Sequence, residues 1–276
     1  NLWTIVSLFL LLILFVALRW NSFNMPFERD EGEYAYSAWI MHQGILPYAH
    51  AFMQKPPMII YTYMLAQLIS PAIWAPRLLA FISSLMTVAL VGLIGKREFN
   101  RSVGLLAMWL TTLMIILPNL APFAANTEVF MILPLVALLA VYVYYRESER
   151  FLPWFFSGVL SALALMYKPL CVIVILFIFL AWCRDFSLAH KNRRSLIKNL
   201  FVALGGFSVS ILLILLPFLI GGSFRSMWET AVIFNTYYSK QWGYASAAFL
   251  NRLSQFWSNW PLLFPLLLWF FYRRPQ

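Results

Sequence analysis

The chain is short of charge, and of acid above all. Only ten Asp and Glu stand among 276 residues, and charged residues of both signs make up 11%. A soluble domain carries about a quarter. With 62% hydrophobic residues and a mean hydropathy of +0.77, the chain lacks the polar surface to cover itself in water. That excludes a soluble domain and leaves an integral membrane protein. The apolar runs lack the alternation of barrel strands, so they are expected as helices. Cysteine is scarce too: Cys171 and Cys183 lie twelve residues apart in one apolar run. On a helix that is about 18 Å of rise, too far for a disulfide. The three histidines, His42, His50 and His190, are scattered and form no metal-type cluster. No Gly-rich phosphate loop or Ser nucleophile elbow is present, and no repeat, low-complexity tract or soluble domain interrupts the pattern. The net charge of +10 sits in short clusters between apolar runs. That is how a membrane protein orients itself, and it argues against nucleic acid as a partner.

What is present is a series of about eight spans: Leu2 to Leu18, Leu78 to Gly95, Val103 to Leu117, Val129 to Tyr145, Trp154 to Tyr167, Leu170 to Trp182, Leu200 to Ile220, and Pro261 to Phe271. The stretch from Pro57 to Ile69 is apolar but too short to span, and is expected as a buried or interfacial helix. Twelve of the twenty Lys and Arg pack into short connections on one side: Lys96, Arg97, Arg101, Arg146, Arg150, Arg184, Lys191, Arg193, Arg194, Lys198, Arg273 and Arg274. The positive-inside rule makes that side cytoplasmic, the N-terminus with it. Three extracytoplasmic loops follow, at 19–77, 118–128 and 221–260. The chain opens at Asn1 without a methionine and stops at Pro275-Gln276. The expectation is a fragment or processed form whose first run is a span, not a removable signal peptide.

The scarce acids are crowded. Glu28, Asp30, Glu31 and Glu33 stand in "FERDEGEYAYSAW", at the outer side. The pattern from Glu31 to Gln43 predicts a helix that Gly44 ends, with Asp30 at its N-cap. Capping accounts for one acid well and for four poorly. Lys55 follows in "MQKPPM", stiffened by two prolines; it is either a fixed cation or a lysine snorkelling at the interface. Arg77, at the mouth of the second span, and Lys168, at a hairpin bend, carry the same pair of readings. Glu128 in "FAANTEVF" either favours a helix dipole or serves as a second acid. Glu98, Glu147, Glu149 and Asp185 lie on the cytoplasmic side beside basic residues, as ordinary loop charges. The third outer loop is rich in Trp228, Tyr237, Tyr238, Trp242, Tyr244, Trp257 and Trp260, which suit an aromatic belt better than a sugar platform. Carboxylates and cations on one side suit transfer from a lipid phosphate: the carboxylate takes a proton from an acceptor hydroxyl, and the cations stabilise the departing phosphate.

"RDEGEYAYSAWIMHQGILPYAHAFMQKPP" resembles the first outer loop of GT-C-fold, lipid-dependent glycosyltransferases, the superfamily of protein O-mannosyltransferases and aminoarabinose transferases. Shared are an Asp-Glu pair soon after the first span, Tyr-Ala, Gly-x-x-Pro-Tyr and Lys-Pro-Pro. "APRLLAFISSLMTVALVGLIGK", "ANTEVFMILPLVALLA" and "GVLSALALMYKPL" resemble the segments that follow in order, and the likeness covers roughly Leu2 to Leu180. It implies a single all-α GT-C-type bundle over 1–276, with short helices in the first outer loop. Those relatives carry more spans, so C-terminal spans are expected to be missing. The implied activity is a hexosyl or pentosyl transferase that works with inversion at the outer face of a bacterial inner membrane. Its partners would be a polyprenyl-phosphate-linked sugar, membrane lipid and an acceptor glycan, lipid or protein. By the same resemblance Asp30 matches the catalytic base and Glu31 its partner. Lys55, Lys168 and, more weakly, Arg77 match the lipid-phosphate positions, and Glu128 matches the second acid. No cofactor is implied. Some relatives hold a metal with an acid where this chain has Gln54, which puts a divalent metal in doubt. The alternative is a non-catalytic or transporter-like protein handling lipid-linked sugars. A transporter would show ionisable residues mid-span and a two-fold repeat; neither is in the sequence.

Overall fold

In a bilayer every backbone polar group must be satisfied within its own segment, and apolar runs of this length do so as helices. The computed structural model describes residues 2–116, 124–188, 193–237 and 254, and among these there is no strand. The helices are α1 Leu2–Arg19, α2 Arg29–His42, α3 Met58–Ile69, α4 Trp74–Glu98, α5 Arg101–Ile116, α6 Thr127–Tyr145, α7 Phe151–Tyr167, α8 Val172–Leu188, α9 Arg193–Ile220 and α10 Phe224–Trp228. A π-helical turn, Glu229–Phe234, continues α10. Five segments are long and apolar enough to cross a membrane: Leu2–Asn24, Trp74–Glu98, Thr127–Tyr145, Pro169–Leu188 and Arg193–Ile220. The helices α5 and α7 occupy two further expected spans at 16 and 17 residues. The expected span Pro261 to Phe271 lies outside the described residues, as do Tyr238, Trp242, Tyr244, Trp257 and Trp260.

The outward faces carry exposed Phe9, Phe177, Leu180, Phe201 and Leu213, the surface that a lipid solvent requires. Inside, α7 packs against α9 and α6, and α4 against α5 and α6. Trp154 of α7 stacks on Trp182 of α8 with ring centroids 4.0 Å apart, and both are fully buried. The helix α9 begins seven residues before its expected start at Leu200, because the helical backbone is already formed through Arg193, Arg194 and Lys198 before the apolar run begins.

Glycine lets α7 and α9 touch backbone to backbone. A Cβ on Gly158 would lie 1.9 Å from the Ala203 carbonyl oxygen, and one on Gly206 would lie 2.2 Å from that of Phe155. Neither carbonyl can swing aside without breaking its helix. Gly158→Ala is therefore expected to cost on the order of 1–3 kcal/mol, read as a lower unfolding temperature in detergent. An unchanged temperature would mean that the two helices do not cross here.

Alternating chain direction sorts the helix ends into two sets. The ends at Arg19, Trp74, Thr127, Tyr167 and Ile220 gather with α2, α3 and α10. The ends at Glu98, Arg101, Tyr145, Phe151, Leu188 and Arg193 gather at the other side, where Arg146 pairs with Glu98 at 3.1 Å. At the first end α2 and α3 close over the bundle through Tyr34, Ala38, Ile59, Ile60 and Tyr63, packed with Phe130 and Phe218. The short apolar stretch expected as a buried or interfacial helix is thus a helix that buries one face on the bundle and leaves Leu65, Leu68 and Ile69 exposed.

The helix cap differs from expectation. The N-cap of α2 is Glu28, not Asp30, in a reciprocal capping box with Glu31. Glu28 provides the side-chain acceptor that the first turn needs, so Asp30 lies inside the helix with its carboxylate released from capping. The C-terminal end meets expectation, with Gly44 at φ +80° just past the last turn.

Candidate active site

Two clusters divide the expected site residues. The first is buried. Glu31 is 0% exposed and the Arg77 side chain 2%. The Arg77 Nη2 and Nε atoms donate to the two Glu31 oxygens at 2.7 and 3.1 Å. Nη1 donates to the carbonyls of Ser22 and Met25, and Nη2 also to that of Pro26. All five N–H donors of the guanidinium are taken. Glu31 is equally occupied, accepting from the backbone N–H of Ala125 at 2.8 Å and of Glu28 at 2.9 Å. One ion pair thus ties α2, α4, the turn after α1 and the segment before α6 together. Arg77, expected at a lipid phosphate, has no donor left for one, and Glu31, expected beside the base, has no lone pair free for a substrate.

The second cluster is open to solvent. Asp30, Glu33 and Tyr34 stand at i, i+3 and i+4 of α2 and share a face. Asp30 Oδ2 lies 3.9 Å from Lys55 Nζ, with the two side chains 36% and 23% exposed. The buried Tyr34 hydroxyl lies 3.5 Å from the same Asp30 oxygen. Burial first, then the charges of Asp30, Glu128 and Glu33, raise the Tyr34 pKa above the ordinary phenol value. Tyr34 thus keeps its proton, with its hydroxyl turned to Asp30. Glu33 accepts the backbone N–H of Gln54 at 3.3 Å. Burial raises its pKa, the Gln54 bond opposes that, and Asp30 adds to it.

Lys55 and Lys168 come together. Both line one pocket of about 400 Å³, with Gln54, Pro56, Asn235 and Thr236. Lys168 caps the C-terminus of α7 and pairs with Glu128 in the first turn of α6. Thr127 Oγ1 donates to the other Glu128 oxygen at 3.0 Å. Adjoining this end is an apolar groove of about 710 Å³ between α3, α4, α6 and α7, lined by residues such as Leu79, Ile82, Met86, Leu133 and Leu163. Met58, three residues after Lys55, and Tyr167, directly before Lys168, both line it. A 2.7 Å hydrogen bond joins Thr62 to Tyr167 within it. A charged pocket beside an apolar groove suits a molecule with a phosphate at one end and a hydrocarbon chain at the other.

Of the expected residues, then, Asp30, Lys55, Lys168 and Glu128 gather, while Glu31 and Arg77 form the frame beneath them. Tyr34 and Glu33 join the site without having been singled out as more than part of the motif. Their signal was their spacing from Asp30 on one helix face. The donors around Asp30 do not fit a divalent cation: its near neighbours are Lys55 and Arg29. Among the described residues no three His, Cys, Asp or Glu side chains converge as a metal site needs.

Residues 54–220 match the protein family described as dolichyl-phosphate-mannose-protein mannosyltransferase. The matched region contains Lys55, Arg77, Glu128 and Lys168, and begins after Asp30 and Glu31. No curated protein and no solved structure matches the chain. With more than half of its length inside that match, the chain belongs to the dolichyl-phosphate-mannose-protein mannosyltransferase family.

Proposed function

We propose that the chain transfers a mannosyl group from a polyprenyl-phosphate-linked donor to an acceptor hydroxyl, with inversion. The observation that carries this reading is the shared pocket of Lys55 and Lys168, with Asp30 beside Lys55. Two ammonium groups from separate segments suit a phosphate, and the groove beyond Met58 and Tyr167 suits its isoprenoid chain. The acceptor O–H gives its proton to the Asp30 carboxylate. Its oxygen attacks the anomeric carbon from the face opposite the phosphate. The bond from that carbon to the phosphate oxygen breaks, and the phosphate leaves with the electron pair, held by Lys55 and Lys168. Glu128 keeps Lys168 turned toward the pocket. Lys96, Arg97, Arg101, Arg146, Arg150, Arg193 and Arg194 crowd the opposite end of the bundle, which supports placing the site on the extracytoplasmic side.

The test is binding of polyprenyl-phosphate mannose to the full chain in detergent. Lys55→Ala and Lys168→Ala are each expected to weaken it by about tenfold to a hundredfold, the range for a hydrogen bond to a charged group. Wild-type affinity in both variants would overturn the donor site.

A further inference from the structure

The Gln54 peptide is held from both sides by side chains of distant segments. Its N–H donates to Glu33 Oε1 of α2 at 3.3 Å, and its carbonyl accepts from Asn235 Nδ2 at 2.7 Å. Asn235 follows the π-helical turn and donates also to the Ala231 carbonyl at 2.8 Å. Both of its partners are carbonyls, so its amide must face them with the NH2. The next residue is Lys55. Its own carbonyl accepts from the Tyr48 hydroxyl at 2.8 Å, and Pro56 restricts its backbone. Phe52 packs edge-on against Phe234 at 5.0 Å, joining the same two segments. The wide turn before Asn235 places Ala231, Val232, Asn235 and Thr236 along the pocket that Lys55 lines. Such turns recur at functional sites.

We propose that Glu33 and Asn235 are positioning residues: they grip the Gln54 peptide between them and so aim the Lys55 ammonium at the donor phosphate. This rests on the pocket of Lys55 and Lys168 being the donor-phosphate site. Neither residue lies within the stretch that matches the family. Neither touches the reacting atoms. Glu33 needs only an acceptor oxygen for its part, which glutamine also has. Asn235 needs a donor, which aspartate lacks and would replace with an anion against two carbonyls. The clamp acts through Lys55 alone, so it is worthless once Lys55 is gone.

The experiment is a double-mutant cycle on the full chain in detergent, with polyprenyl phosphate lacking a sugar as the probe. E33A and N235A are each expected to weaken its binding about three- to tenfold, the range for one hydrogen bond. E33Q is expected within about twofold of wild type, since it keeps the bond. N235D is expected to bind no better than N235A. Adding N235A to K55A is expected to change nothing further, because the two act as one unit. Unfolding temperatures are measured alongside, and E33A with E33Q forms an independent pair if N235A is unstable. A full additional loss in the K55A background, or wild-type binding by both E33A and N235A, would overturn the clamp while leaving the donor site standing. Wild-type binding by K55A itself would remove Lys55 from the donor site, and overturn the clamp with it; wild-type binding by K168A as well would overturn the donor site.

Discussion

Asp30→Asn is expected to lower sugar transfer by about 10²- to 10⁴-fold, the range for loss of a general base, with the chain still folded. The fold tolerates the change because Asp30 carries none of it. Capping belongs to Glu28, and the buried ion pair belongs to Glu31. The Asp30 carboxylate is partly exposed, and its near contacts are Lys55, Arg29 and the Tyr34 hydroxyl. Asparagine keeps the shape and the hydrogen bond from Tyr34. It loses the ability to accept a proton from the acceptor and the long, partly exposed charge contacts with Lys55 and Arg29, which carry little stability. Donor binding should therefore persist, and the loss should fall on the transfer step. Glu33→Gln makes the opposite case within one helical turn: the acid is half-buried, its work is a backbone hydrogen bond, and glutamine can do that work. The measurement is transfer from polyprenyl-phosphate mannose in membranes containing each variant at matched expression. Unchanged transfer by Asp30→Asn would remove Asp30 as the base.

The sequence made the bundle legible because lipid leaves a chain few choices: apolar runs become helices, and their order fixes which ends meet. Lys55, Glu128 and Lys168 could be placed on one side by that rule alone. The helix α2 was legible in outline and not in detail. Four acids in six positions look alike in a string, and only helical rotation separates them. Position 31 points into the protein and meets Arg77, 46 residues away. Position 30 points to the rim. Glu28 and Asp30 are chemically alike as caps, and nothing in the string says at which of the two the helix begins. Asn235 was beyond reach for another reason. Its partner is Gln54, and a bond across 181 residues leaves no periodic mark in a sequence.

Arg77→Ala is expected to cost about 3–5 kcal/mol of folding stability, the range for breaking a buried ion pair. The variant would be seen as a chain that extracts poorly and unfolds at markedly lower temperature in detergent. The arginine leaves behind more than an unpaired Glu31 carboxylate. The carbonyls of Ser22, Met25 and Pro26 lose their donor at the same time. Arg77→Lys should rescue little, since an ammonium has three donors where five are in use and cannot match a carboxylate as a fork. Glu31→Leu combined with Arg77→Met removes both charges and should recover part of the loss, as apolar replacement of a buried pair often does. Recovery stays partial because the N–H groups of Glu28 and Ala125 and the three carbonyls remain without partners. The same variants separate the two roles open to this arginine. A phosphate-binding Arg77 would give a stable chain with weak donor binding, and the double replacement would bind no better. A framing Arg77 gives an unstable chain, and in the double replacement stability and donor binding return together. Normal stability in Arg77→Ala would show that the ion pair does not hold α2 to α4, and would return Arg77 to the phosphate.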